Sequence, residues 1–168
     1  LIQFWTWNDY TELTMLAPTT DTRYGILDLT FYYTQWWKTG KPPATDHDRI
    51  YLVYPKYAHE RSTYPFGTRV PWREQKNVLE VATWLTKPAT VRLPGRPESW
   101  EPPAGLSWKQ VPLQPGPVAA EILRRNWIGF PRVELRFDSP EPVSDKPYRD
   151  QHSMVCVSPE DLRHWRED

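Results

Sequence analysis

The chain has one cysteine and seven glycines among 168 residues, and its formal net charge is zero. A single cysteine, Cys156, excludes an internal disulfide framework and leaves the redox compartment open. Its two valine neighbours favour a small buried thiol over a catalytic nucleophile. Because 21 basic residues balance 21 acidic ones, the charge gives no reason to expect nucleic acid or a membrane as a partner.

Several common motifs are also missing from the sequence. No apolar run approaches the roughly 20 residues of a membrane span, and residue 1 does not open a signal peptide. There is no P-loop, dinucleotide glycine motif, Cys/His cluster or Gly-x-Ser-x-Gly elbow, so we expect no metal and no cofactor. The compartment stays open, and a secreted or cell-envelope location follows only if an upstream part carries an export signal.

Prolines and tryptophans are abundant, with 19 and 10 copies, which predicts stiff loops and aromatic packing. Short strands with turn signals between them are predicted at residues 50–54, 77–85, 90–93, 107–113, 118–123, 132–137 and 153–157. This spacing is typical of a sandwich or barrel-like β domain. Leu79 should face the core, Val133, Leu135 and Phe137 should point inward, and Pro112 should confine its strand to an edge.

A helix is predicted from Asp21 or Thr22, which can cap it, to Gly40, which supplies a left-handed end before two prolines. Its apolar positions recur at three- and four-residue steps and are predicted to form its core stripe: Ile26, Leu29, Tyr33, Trp36 and Trp37. A second, short helix is predicted after Ser158, since proline and acidic residues follow that position.

The first seven residues are apolar on both faces of an extended chain, which predicts a fully buried strand. Polar and aromatic groups follow where this strand stops, at Trp7, Asn8, Asp9, Tyr10 and Glu12. The ends of strands are where α/β folds place ligand sites, and aromatic rings beside carboxylates are typical of sugar binding. Residue types alone favour the alternative, a buried aromatic strand followed by an ordinary Asn/Asp turn.

A resemblance to a known family favours the sugar site. The run Trp7-Asn8-Asp9-Tyr10-x-Glu12, with Ala17-Pro18-Thr19, Tyr24-Gly25, the Tyr-Tyr-rich helix ending in Lys38-Thr39-Gly40 and the strand at 50–54, resembles glycoside hydrolase family 71, the α-1,3-glucanases or mutanases. The likeness covers the first third of the chain. The sequence departs from the family pattern at Thr11, where glycine is usual, and at Leu13, where a small residue or histidine is usual.

The resemblance implies a mainly β chain with two parts. Residues 1–46 would be the last strand, loop and helix of a (β/α)8 barrel, and residues 47–168 an accessory β-sandwich domain with a short terminal helix. Since 168 residues are too few for a whole barrel of roughly 200 or more, the chain is expected to be a C-terminal fragment. Its expected partners are a polysaccharide or oligosaccharide and a missing N-terminal barrel segment or another chain.

The implied function is that of the C-terminal portion of a polysaccharide-degrading glycoside hydrolase. Glycoside hydrolysis needs two carboxyl groups facing each other across the scissile bond, and the family's presumed acid and base lie on earlier barrel strands. The resemblance therefore assigns Trp7, Asn8, Asp9, Tyr10 and Glu12 to substrate binding. The catalytic pair is unidentified, Asp9 and Glu12 being the only candidates here, and the fragment alone is expected to be inactive.

The alternative is a non-catalytic carbohydrate-binding or structural β domain. Binding would use exposed rings such as Trp72, Trp100 and Trp108, and two or more exposed rings in a row would favour it. Structural bracing is the preferred interpretation, because tryptophans in proline-rich turns usually pack against those prolines.

Overall fold

The computed structural model describes residues 3–4, 7–8, 16–56, 77–140 and 142–144, together with the backbone of 153–157. These residues contain helix α1 (Gly25–Thr39) and strands β1 (Arg49–Pro55), β2 (Val78–Leu85), β3 (Thr90–Arg92), β4 (Ser99–Trp100), β5 (Gly105–Pro112), β6 (Ala119–Arg125), β7 (Pro131–Asp138) and β8 (Ser153–Val157). The chain is therefore mainly β, as predicted.

The strands form two four-stranded antiparallel sheets. The first has the order β5-β2-β1-β8 and the second the order β4-β3-β6-β7. Strand β5 lies at an edge, where the prediction from Pro112 placed it, because proline cannot donate to a ladder.

One apolar core contains side chains from both sheets. The first sheet supplies Ile50, Leu52, Tyr54, Leu79, Val81 and Leu85, and the second supplies Val91, Ala120, Ile122, Leu135 and Phe137. The inward orientation predicted for Leu79 is confirmed. Strand β1 is buried on both faces, since Tyr51 between Ile50 and Leu52 belongs to a separate cluster with the helix.

The prediction for β7 is right at two positions and wrong at Val133. Leu135 and Phe137 are buried, whereas Val133 is exposed. A register irregularity explains the difference, because Leu135 pairs with Ile122 while Val133 pairs with the next residue, Leu123. The extra residue of a bulge reverses the in-and-out alternation of a strand.

The end of α1 was predicted correctly and its start was not. Gly40 adopts a left-handed conformation with φ of 70°, and its N–H donates to the carbonyl of Trp36 at 2.8 Å. The N-cap position is Tyr24, with no side-chain cap. Instead of capping the helix, Thr22 donates its own N–H to Oγ1 of Thr19 at 2.8 Å, which closes a turn before the helix begins.

The side of α1 that packs is also different from the one predicted. Tyr33, Trp36 and Trp37 were expected in the core, but they are 46%, 43% and 54% exposed. The helix instead buries Tyr32, which joins Tyr51, Ala82 and Trp84 of the first sheet in a second apolar cluster. The apolar residues of α1 span more than one face, so the first sheet covers only part of them.

The strand predicted for residues 1–7 is not found where the structure describes them. Gln3, Phe4 and Trp7 lie outside any strand and are exposed. A strand needs a hydrogen-bonded neighbour, and no described strand pairs with this segment. The helix predicted after Ser158 lies outside the described residues. The boundary at 46/47 stays a prediction.

Candidate functional site

The predicted sugar-binding loop is described only at its first two residues. The carbonyl of Trp7 accepts hydrogen bonds from the N–H groups of Leu16 at 3.0 Å and Ala17 at 2.7 Å, so the chain returns to its starting point after the loop. Trp7 is 56% exposed and Asn8 is also exposed. Asp9, Tyr10 and Glu12 lie outside the described residues. The tryptophan ring and the amide are therefore accessible to a ligand.

A row of exposed rings extends along α1 and onto β5. We call Tyr33, Trp36, Trp37 and Trp108 the aromatic face. The rings of Tyr33 and Trp36 are stacked, with centroids 6.4 Å apart and an interplanar angle of 18°, and Nε1 of Trp108 donates to the hydroxyl of Tyr33 at 3.2 Å. The hydrogen bond fixes two of the rings while leaving their surfaces accessible.

A shallow apolar cavity adjoins the aromatic face. It has a volume of about 350 Å³ and is lined by Phe4, Ile26, Leu29, Thr30, Tyr33 and Thr34. Phe4 therefore lies near the part of α1 that carries Ile26 and Thr30. An apolar surface in this position fits packing by another protein layer better than the binding of a polar sugar.

A larger cavity lies where α1, the following loop and the first sheet meet. Its volume is about 660 Å³, and its lining residues are Asp28, Phe31, Ala44, Thr45, Asp46, Arg49 and Trp84. Volumes of this size are usual for small-molecule sites. Aromatic, carboxylate, hydroxyl and guanidinium groups converge there, a combination that suits a hydroxyl-rich ligand.

The charged groups inside the larger cavity are already paired. Asp28 accepts a hydrogen bond from the hydroxyl of Tyr51, and its Oδ2 lies 3.4 Å from Nε of Arg49. The guanidinium of Arg49 also donates to Thr45 and lies over the ring of Trp84, 4.4 Å from the centroid. Because the carboxylate and guanidinium are both buried, this network is a structural cross-link between α1 and the first sheet.

The indole N–H of Trp84 has no acceptor among the described residues. Nε of Arg49 in the same cavity wall also makes no hydrogen bond within the described residues, but it lies 3.4 Å from Oδ2 of Asp28. A buried donor without an acceptor costs about 1–3 kcal/mol, a cost that applies here to the indole N–H of Trp84. It is buried rather than open to the cavity, which makes it a weaker contact for a ligand than the exposed carboxylate of Asp46.

Sequence reasoning missed the larger cavity because its residues come from separate segments. Asp28 carried a local signal, because a carboxylate four residues before the buried Tyr32 lies on the packed side of α1. A charged group in that position indicates a buried partner. Of the three tryptophans considered for sugar binding, Trp108 is exposed, Trp100 packs partly buried against the core, and Trp72 lies outside the described residues. His47 contacts Asp46, with Nδ1 and Oδ1 2.5 Å apart.

Three further findings bear on function. In the part of the chain that the structure describes, no group of three or more metal-binding side chains is close enough to hold an ion. Within the same residues, no helix combines the length and apolarity needed to cross a membrane. No family model, curated protein or solved structure matches this chain. The functional proposal therefore rests on its own residues.

Proposed function

We propose that this chain is the C-terminal portion of a polysaccharide-degrading glycoside hydrolase similar to family 71. In this proposal the loop at residues 7–12 forms part of the wall that binds sugar near the scissile bond. The two sheets form an accessory β-sandwich that supports the barrel. The resemblance of Trp7-Asn8-Asp9-Tyr10-x-Glu12 to the family motif supports the loop's role, and the exposure of Trp7 and Asn8 agrees with it.

The observation that carries the proposal is that α1 is apolar on two sides. One side packs Tyr32 against Tyr51 and Trp84 of the first sheet. The other side presents Ile26 and Thr30 to a shallow cavity that the described residues leave open, whereas Tyr33, at the edge of this cavity, also bonds Trp108 of the first sheet. A helix that packs on one layer has one apolar stripe, so α1 is built to lie between two layers.

The last helix of a (β/α)8 barrel has this arrangement when an accessory domain follows it. Helices form the outer ring of such a barrel, so the inner side of each helix packs on the barrel strands. The outer side of the last helix is then free to contact the next domain. Sheet packing on one side of α1 and open apolar surface on the other fit this position.

In the proposed enzyme, residues of the loop bind and orient the sugar rather than transfer the proton. Trp7 supplies a ring face for C–H groups, while Asn8, Asp9, Tyr10 and Glu12 supply hydrogen bonds to hydroxyls. The acid and the base or nucleophile would come from earlier barrel strands. The 168-residue chain alone is accordingly expected to have no hydrolase activity.

The proposal is tested by hydrolysis of α-1,3-glucan with the full-length parent protein and its Glu12→Gln variant. The substitution keeps the shape of the side chain but removes a charge that hydrogen-bonds the sugar and stabilises positive charge on the ring. A charged hydrogen bond is worth about 1.5–3 kcal/mol, and about 1.36 kcal/mol corresponds to tenfold in rate. Activity should therefore fall about ten- to a hundredfold with an unchanged melting temperature.

Glu101→Gln is the matched control, because Glu101 is an exposed carboxylate on the loop between β4 and β5. This variant should keep full activity. Equal activity of the Glu12→Gln variant and the parent would remove Glu12 from the site. A joint loss of activity and melting temperature would make Glu12 a structural residue, and no hydrolysis of any α-glucan by the parent would reject the proposed enzyme class.

A non-catalytic carbohydrate-binding domain is the second candidate, and the aromatic face favours it. Several exposed rings lie in a row there, which was the condition for this alternative. The apolar cavity beside Tyr33 argues against it, because sugar platforms need polar groups beside the rings to hold hydroxyls. Coverage of this surface by barrel strands is therefore preferred.

A further inference from the structure

The turn between β6 and β7 is held in one conformation by its own hydrogen bonds. The N–H of Asn126 donates to the carbonyl of Phe130 at 2.8 Å. Oδ1 of Asn126 accepts from the N–H groups of Ile128 at 3.0 Å and Phe130 at 2.9 Å. Gly129 has φ of +90°, a left-handed value that other residues rarely adopt. The side chains on this turn are therefore presented at fixed positions.

Three large apolar side chains project from this turn. Trp127 is 93% exposed, Ile128 59% and Phe130 65%; we call these three residues the hairpin tip. Single exposed apolar residues are normal on a protein surface, whereas a contiguous group marks an interaction site. The turn therefore holds two aromatic rings and one aliphatic side chain in contact with solvent.

Positive charge lies directly behind the hairpin tip. Arg125 and Arg132, which flank the turn, and Lys87, on the adjacent loop, are exposed, and none is paired with a carboxylate among the described residues. Arg124 is already paired with Asp48 and Glu134. The hairpin end is thus locally positive, although the chain as a whole is neutral.

We propose that the hairpin tip docks onto an anionic phospholipid bilayer. The apolar side chains are at the end of the hairpin, where they would reach the acyl boundary of a membrane. The cations lie behind them, at the level of the lipid phosphates. Tryptophan is favoured at that boundary because its ring is apolar and its N–H is polar. An acidic protein would have to offer a pocket for a convex tip. The neutral net charge gave no reason to expect a membrane, because it averages over this local excess.

The test is co-sedimentation of the purified protein with phosphatidylcholine vesicles and with vesicles containing about 30% phosphatidylserine. Binding should be at least about tenfold stronger to the anionic vesicles and should weaken as salt rises from about 0.1 M to about 0.5 M, since salt screens surface charge. A variant with Trp127→Ser, Ile128→Ser and Phe130→Ser should lose binding. Phe31→Ser, which removes a large exposed ring from α1 outside the aromatic face, should not.

A second pair of variants separates charge from apolar contact. Arg132→Gln should weaken binding to anionic vesicles about fivefold, since each basic residue near such a surface contributes about 1 kcal/mol. Lys109→Gln on β5 removes an equal charge from the other sheet and should have no effect. Because the hairpin tip is exposed, the triple variant should keep the parent melting temperature.

Three results would overturn the membrane proposal. They are equal binding to neutral and anionic vesicles, no binding to either, and anionic binding that survives in the triple variant. Capture of a soluble acidic protein by the hairpin tip, without vesicle binding, would assign the surface to a protein partner instead. None of these outcomes depends on whether the chain belongs to a glycoside hydrolase.

Discussion

Asp28 and Arg49 show how single residues fix the position of α1. Both side chains are buried, and Tyr51 donates to the same carboxylate, so the helix is tied to β1 by directional contacts. A buried ion pair is weak evidence for stability, because desolvation opposes the attraction, but losing one partner leaves a buried charge unpaired. Apolar packing alone would let the broad apolar surface of α1 rotate against the sheet.

Asp28→Asn should destabilise the protein by about 3 kcal/mol, because it leaves the guanidinium of Arg49 buried without its counter-charge. Asp46→Asn is the matched control, since Asp46 lines the same cavity but is largely exposed. An exposed ion pair contributes about 0–1 kcal/mol. Urea unfolding of both variants and the parent gives the comparison. Similar losses for the two variants would show that burial of the Asp28 pair does not matter.

At the scale of elements, one arginine joins the ends of strands from both sheets. Arg124 of β6 donates to Asp48, which precedes β1, and to the carbonyls of Lys87 and Pro88. Asp48 also accepts from the N–H of Thr86 at 2.8 Å. Burial alone would raise the pKa of Asp48, but the hydrogen bonds from Arg124 and Thr86 outweigh it and hold the pKa below its ordinary value.

This pKa shift predicts acid sensitivity. A carboxyl group with a lowered folded-state pKa stabilises the fold at pH values above its unfolded pKa of about 3.9, and that contribution is lost as pH falls through the folded-state pKa. Asp48→Asn should cost about 2 kcal/mol at neutral pH. The difference from the parent should shrink as pH falls below about 4.

Urea midpoints at several pH values measure this difference directly. Asp138→Asn is the control, because the pKa of Asp138 is also lowered, by hydrogen bonds from Arg136, but its side chain is exposed and its ion pair should contribute little. A gap between parent and Asp48→Asn that stays constant down to low pH would contradict the assigned role of Asp48.

Elements with local signals were predictable, and contacts between distant segments were not. Most strand positions followed from alternation and turn residues, and Gly40 marked the end of α1, because those signals depend on the backbone of a few residues. The short β4 was not predicted, and the strand predicted at residues 1–7 was not found among the described residues. The side of α1 that packs did not follow, since Tyr32 and Trp36 are both large aromatic residues and only the position of the sheet decides between them. The bulge at Val133 and the pairing of Asp28 with Arg49 likewise have no local signature.

On the scale of the molecule, the residues that the structure describes leave apolar surface open at two separate places. The aromatic face and the adjoining cavity lie along α1 and reach β5 of the first sheet, while the hairpin tip projects from the second sheet. Their surroundings differ, since uncharged residues line the cavity, whereas cations without a carboxylate partner among the described residues lie behind the hairpin tip. The aromatic face and its cavity therefore suit packing by an apolar protein layer, and the hairpin tip suits an anionic bilayer. The two surfaces are expected to have different partners.

The last prediction separates coverage of the aromatic face by barrel strands from sugar binding there. If the proposed function is right, Trp37→Ser should lower the stability of the full-length parent by about 3 kcal/mol, because the ring would be buried against the barrel. In the 168-residue chain the ring is exposed, so the same change should leave the melting temperature unaltered and reduce self-association. Urea unfolding of the parent and light scattering of the isolated chain provide the two measurements.

Lys38→Ser is the matched control for this experiment, since Lys38 is the next residue of α1 and is also exposed. It should change the stability of the parent by no more than about 0.5 kcal/mol. It should also leave the self-association of the isolated chain unchanged within experimental scatter. Binding of the isolated chain to insoluble glucan, abolished by Trp37→Ser, would instead make the aromatic face a sugar platform. An unchanged parent stability would show that no layer covers the ring, since burying a side chain of this size contributes at least about 1.5–3 kcal/mol.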